Sequence, residues 1–222
     1  MHYNTVVIDY GHGESTPGKR YTFTDYDNLE CKEYITNRMT AARLIRSLLR
    51  EGYRVYDCVA DRHWVLKDTP CCWSWKDLHQ EDVPLSTRVK RANKIPKSFL
   101  LSLHSNAIGY SNVGPSLNAR GGVMYTSPGQ TKSDTIAESI YEAFTKAFEN
   151  EPVYMRRGDL ADGDHDNEAR FYMLTKTWGP AVLGEMLFFV NIEDAKYLMS
   201  DHGQDIIAQG YFDGIKTYLI KE

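Results

Sequence analysis

Several protein classes are excluded by what this sequence of 222 residues does not contain. No apolar run approaches the roughly 18 to 20 residues of a membrane-spanning helix. The cysteines are only four, Cys31, Cys58, Cys71 and Cys72, and none stand in CxxC spacing. That spacing is what a redox dithiol or a zinc knuckle needs, so reduced structural thiols in a reducing compartment are expected. A cysteine hydrolase on Cys58 or Cys71 is disfavoured, because neither thiol ends a strand beside a histidine. Positive charge is not in excess: 26 Lys plus Arg face 30 Asp plus Glu, for a net charge of −4. A nucleic-acid footprint is therefore not expected. The start of the chain lacks the cationic segment, apolar run and cleavage site of a secretory leader, and export by the general route is not expected. No repeat, low-complexity tract or linker divides the chain. What remains is ordinary for a globule, with 25% charged, 42% hydrophobic and 12% aromatic residues. One domain over residues 1–222 is expected, long enough to bury a core without disulfides or metal.

Periodicity then gives the elements. Thr5 to Tyr10 is a short buried strand that stops at Gly11-His12-Gly13, and a polar loop with Pro17 and Gly18 follows. From Glu33 to Glu51 the apolar residues Ile35, Met39, Ala42, Ile45 and Leu49 recur at helical spacing, with Gly52 placed as a C-cap. Tyr53 to Val59 reads as a strand. Asp61 to Ser86 has no period and is expected to be a long excursion carrying Trp64, Trp73 and Trp75. Ser86 to Lys94 reads as a short helix, Phe99 to His104 as a buried strand, and Gly121-Gly122 open another through Thr126. Ser133 to Phe148 is a helix, and the Gly- and Asp-rich span Arg156 to Asn167 a loop. Ala181 to Leu187 is a strand, and from Asp201 to the end runs a helix softened by Gly203, Gly210 and Gly214. Strands alternating with helices predict an α/β fold of three αβα layers, a mostly parallel twisted sheet flanked by helices on both faces.

Ligands of such a sheet gather beyond the carboxyl ends of its strands. His12 follows the first strand, His104 ends the third, and Glu185 lies in the last. Glu33 opens the first helix, whose start the first loop can bring to the same rim. Glu30 and Glu14 are its rivals. Two imidazoles and a carboxylate are the ligand set of a catalytic zinc site with one position open. A second carboxylate must then move the water's proton. Glu185, set among Leu183, Met186, Leu187, Phe188 and Phe189, is suited to that by partial desolvation. Each residue also has a plain structural reading, and spacing alone leaves both open.

The blocks Val7-Ile8-Asp9-Tyr10-Gly11-His12-Gly13, Ser102-Leu103-His104-Ser105-Asn106-Ala107 and Val182-Leu183-Gly184-Glu185-Met186-Leu187-Phe188-Phe189-Val190-Asn191 resemble, in order, the signature blocks of zinc-dependent N-acetylmuramoyl-L-alanine amidases. Leu85 to Val89 with Ala92-Asn93, Gly122-Val123, Ser127-Pro128-Gly129 and Arg157-Gly158 are similar too, so nearly the whole chain is covered. The resemblance implies zinc held by His12, Glu33 and His104, with Glu185 as catalytic acid and base. The implied substrate is peptidoglycan, cut at the amide between the lactyl group of N-acetylmuramic acid and L-alanine. Asp9 and Asn106 could brace the ligands, and the tryptophans of the 61–86 excursion could line a glycan groove. Glu14 replaces a glycine common in the family, Gly184 a β-branched residue, and Thr36-Asn37-Arg38 an apolar helix start. A metal-dependent peptidase or deacylase on another amide, and a silent wall-binding module, are the alternatives. The expected setting is that of a phage endolysin, cytoplasmic until released onto the wall, or of a secreted autolysin if a leader was removed.

Overall fold

A computed structural model describes every residue except 1, 2, 4, 69–80, 111–113, 116, 117, 161, 162 and 222. Strands β1 (Thr5–Tyr10), β2 (Arg20–Phe23), β3 (Leu29–Lys32), β4 (Arg54–Asp57) and β5 (Arg62–Trp64) alternate early with helix α1 (Glu33–Arg50). Then come α2 (Leu85–Ala92), β6 (Ser98–Asn106), β7 (Gly109–Tyr110), β8 (Gly114–Pro115), β9 (Val123–Thr126) and α3 (Lys132–Ala147). The chain finishes with β10 (Asp166–Glu168), α4 (Tyr172–Lys176), β11 (Ala181–Phe188), α5 (Ile192–Met199) and α6 (Asp201–Lys221).

Seven strands form the central sheet in the order β10-β9-β11-β6-β1-β4-β5. The pairs β10–β9, β11–β6, β6–β1 and β1–β4 are parallel, while β11–β9 and β4–β5 are antiparallel. The expected mostly parallel, two-sided sheet is what forms. Every residue of β1 is buried, as a strand covered on both faces requires. Alternation divides its side chains between two cores. Val6, Ile8 and Tyr10 join Leu101, Leu103 and Val182 under α1, α3 and α6. Val7 joins Leu100, Ala181 and Leu183 beneath Val89 and Ala92 of α2 and Met173 and Leu174 of α4. By the same alternation Asp9, Ser102, His104 and Glu185 belong to the α2/α4 side, toward the ends of their strands.

Three expectations change. The polar segment after Gly13 contains the antiparallel β2–β3 hairpin. Its exposed residues carry no hydrophobic alternation strong enough to announce a strand. Within Arg156 to Asn167, expected as loop, the edge strand β10 begins at Asp166, and it pairs with β9. The 61–86 excursion starts as β5 and a 3-10 turn over Leu66–Asp68. Trp64 packs in the main core, whereas Trp73, Trp75, Cys71 and Cys72 lie outside the described residues. Cys31 and Cys58 are free and buried, and burial pushes the Cys31 thiol up to about 12, which keeps it protonated and unreactive.

Candidate metal centre

The first candidate ligand sits where β1 turns away from the sheet. His12 has φ of 71°, in the left-handed region, which costs a non-glycine residue free energy unless neighbours hold it. Helix α1 supplies the hold: Arg38 Nη2 donates to the His12 carbonyl at 3.3 Å, and Asn37 Nδ2 to that of Gly11 at 3.5 Å. Gly11 must be glycine, since a Cβ there would lie 1.9 Å from His104 Cε1. Its N–H donates to the Leu103 carbonyl at 3.3 Å, and this fastens the turn to β6 beside His104.

Glu33 is the first residue of α1 and is fully buried. The β2–β3 hairpin delivers it, and its N–H donates to the Lys19 carbonyl at 3.0 Å. Its Oε1 lies 3.1 Å from His104 Nδ1 and 3.5 Å from His12 Nε2, and it accepts the Ser105 N–H at 3.2 Å. Its Oε2 accepts no well-formed hydrogen bond and forms an ion pair with Lys19 Nζ at 3.4 Å. No sequence pattern points to Lys19, because the hairpin that brings it here carries none of its own. The rivals lie elsewhere: Glu30 pairs with Lys32 at 3.0 Å, and Glu14 is exposed.

Among the described residues, His12, Glu33 and His104 are the one group of three or more such side chains able to hold a metal ion, with ligand atoms all within 4.8 Å of one another. Bonds of about 2.0–2.2 Å to a tetrahedral zinc set neighbouring ligand atoms about 3.3 Å apart. The two edges from Glu33 Oε1, 3.1 and 3.5 Å, bracket that value, and no pair of the three ligand atoms is more than 4.8 Å apart. The donor chemistry fits a small divalent cation as well, with two imidazoles and one carboxylate.

Burial and neighbouring charges shift these groups in different directions. Burial lowers the His12 imidazole to about 4, against the pull of Glu33, so it is neutral at pH 7 and free to ligate. Burial opposes ionisation of Glu33, but the hydrogen bond and charge of His104, with His12 and Lys19, hold it down to about 2. The same pairing raises His104 against its desolvation, helped by Glu185 and Asp9. Glu185 pairs in register with His104 across β11 and β6. Burial pushes its carboxyl up to about 7, and its buried Oε2 has no hydrogen-bond partner in the protein. The neighbouring Gly184 has a local reason, since a Cβ there would lie 2.0 Å from the Tyr211 hydroxyl of α6.

Asp9 stands behind His104, its Oδ2 3.9 Å from Nε2 on the side of the ring away from Glu33. It is fixed by Arg88 Nη1 at 2.8 Å and by the Ser102 hydroxyl at 2.5 Å. Asn106 joins the sheet rather than the ligands, its carbonyl accepting the Phe189 N–H at 3.1 Å. Nothing local to either residue announces that Arg88 partners Asp9, 79 residues away.

The architecture has many counterparts among solved structures. The catalytic domain of CwlV, an N-acetylmuramoyl-L-alanine amidase from Bacillus (Paenibacillus) polymyxa, is 23% identical, with 99% of each chain covered and a TM-score of 0.70. The amidase AmiC2 of Nostoc punctiforme is 22% identical, with 97% of each chain covered and a TM-score of 0.68. The CwlD amidase of Clostridioides difficile, solved with the GerS lipoprotein, is 19% identical over 99% of this chain and 100% of that one, with a TM-score of 0.70. No curated protein matches the sequence. Residues 6–217 match the family model described as N-acetylmuramoyl-L-alanine amidase, and the chain belongs to that family of enzymes.

Proposed function

We propose that this amidase is zinc-dependent and hydrolyses the amide between the lactyl group of N-acetylmuramic acid and L-alanine in peptidoglycan. The observation that carries the reading is the meeting of His12, Glu33 and His104 at ligand spacing, with Glu185 in register beside them. Bound there, zinc would supply Lewis acidity toward an amide carbonyl and toward water. The chain's own residues account for the rest. Glu185 accepts a proton from the attacking water, whose oxygen bonds to the lactyl carbonyl carbon. The bond from that carbon to the alanine nitrogen breaks, and Glu185 returns the proton to the leaving amine. A carboxyl near pH 7 in affinity can serve in both directions. Asp9, clamped by Arg88, holds a negative charge 3.9 Å from His104 Nε2.

Glu185→Gln should keep the metal and lose about 100- to 10,000-fold in turnover, the range for a positioned acid–base group. Mass analysis of digested sacculi should show a new lactyl carboxyl and a new L-alanine amine. Undiminished cleavage by the variant would overturn the role of Glu185, and other termini would point to a different amide. The setting proposed with this activity is bacterial wall lysis as a phage-type endolysin. Phage lysis genes beside its gene would support that setting, and a bacterial sporulation operon would overturn it.

A further inference from the structure

At the rim opposite the metal centre, Trp178 is 85% exposed, more than any other large apolar side chain described. Its backbone is nevertheless fixed. The Trp178 N–H donates to Asn93 Oδ1 at 2.8 Å, and Asn93 Nδ2 donates to the Lys176 carbonyl at 2.9 Å. The Pro180 carbonyl accepts the Leu100 N–H at 2.9 Å, and Gly179 packs against the Ser98 carbonyl so closely that a Cβ would lie 2.7 Å away. The indole is thus presented on a rigid support, which removes an ordering cost from any ligand that stacks on it.

Trp178 separates two grooves of about 500 and 400 Å3. Threonine, serine and asparagine side chains supply most of the polar lining, including Thr131, Thr175, Asn93 and Ser98. Lys132 and Arg170 are the charged residues of one groove and Lys97 that of the other, and no carboxylate lines either. In a chain of net charge −4, a hydroxyl-lined and solely cationic surface around an aromatic face has the chemistry of an anionic saccharide site. The indole stacks on the apolar face of a sugar ring. The spare lone pairs of hydroxyls that donate to the backbone, such as those of Ser98 and Thr175, meet its polar edges, and the cations meet the carboxylates of the attached stem peptides. From Ser98 to His104 is six residues along β6, about 20 Å, so an extended strand could engage both rims at once.

We propose that Trp178 and its two grooves form a second binding site for an anionic glycan, a stretch of the peptidoglycan polymer distinct from the part being cut. This rests on the proposed substrate, and binding and turnover are therefore measured separately. Retention of the full chain on purified sacculi is read in a Glu185→Gln background, with Glu185→Gln/Trp178→Ala and Glu185→Gln/Trp178→Phe beside it. Turnover is read on a short soluble muramoyl-peptide, with and without Trp178→Ala alone. Removing the indole should weaken retention about tenfold or more, an avidity effect, while Phe restores part of it and added salt weakens it further. Turnover of the soluble fragment should stay as in the parent. Retention that Trp178→Ala leaves unchanged would overturn the second site. So would Trp178-dependent binding to anionic phospholipid vesicles with none to sacculi. Trp178-dependent retention without any cleavage by the parent chain would uphold the second site and overturn the proposed reaction.

Discussion

Asp9 and Arg88 illustrate how single residues here combine stability with function. Both are buried, and the carboxylate is held below its ordinary range by the guanidinium despite desolvation. Removing one member leaves the other as an uncompensated charge inside the protein. Asp9→Asn is expected to cost about 3–5 kcal/mol in urea unfolding. Asp9→Asn/Arg88→Met should recover much of that loss, with a coupling term that a double-mutant cycle resolves. Asp166 presents the opposite electrostatics. Burial, together with the Asp164 and Asp134 carboxylates, pushes it up to about 7, against a hydroxyl bond from Thr126 at 2.6 Å. Its folded-state affinity for a proton thus exceeds that of the unfolded chain, ordinarily 3.8. Stability therefore falls as pH rises from about 4 to about 7. Asp166→Asn should flatten that window and leave the variant more stable than the parent at pH 8, as read by thermal unfolding across pH.

Among the elements, the legible ones were those whose burial is one-sided or complete. β1, β6 and β11 are buried along nearly their whole length, and α1 and α3 show one apolar stripe each, so period and composition located them. The short hairpin β2–β3, the edge strand β10 and the helices α4 and α5 were not foreseen. Their few residues owe their conformation to contacts distant in sequence rather than to a pattern of their own. The same distinction holds at the metal centre. His12 and His104 stand out in the sequence because strand ends carry them, Glu185 because it is an acid within an apolar strand, and Glu33 because it opens a strong helix. Lys19 and Arg38 do not, since their roles exist only once α1 and the hairpin meet the first turn. Helix α6 also departs from what its glycines imply. It runs unbroken through Gly203, Gly210 and Gly214, because Gly210 and Gly214 let it approach Phe144 and Ile140 of α3. A Cβ at residue 214 would lie 2.5 Å from the Ile140 Cα, a backbone atom that cannot turn aside. Gly214→Ala should therefore destabilise by about 1–3 kcal/mol, although alanine is the better helix former. Chemical denaturation of the two proteins measures the sign.

For the molecule as a whole, candidate ligands drawn from three chain segments would tie metal binding to global stability. A cation that binds only the folded state at 1,000 times its dissociation constant adds about 4 kcal/mol. For a chain of this length, that corresponds to a melting temperature about 8–16 °C higher than after chelation. Differential scanning calorimetry with zinc and with a chelator measures the gap, and coincident transitions would count against the ligand set. The reversed direction of β9 has a consequence of another kind. β6 ends at Asn106, and β9 starts at Val123, paired with Glu185. β6 therefore leaves the sheet at the same rim where β9 enters it. Had β9 run parallel to β11, the link between them would have needed a full crossover to the far edge. With both ends at that rim, the connection can change in length or sequence beside the candidate site while every pairing of the seven-stranded sheet stays in place.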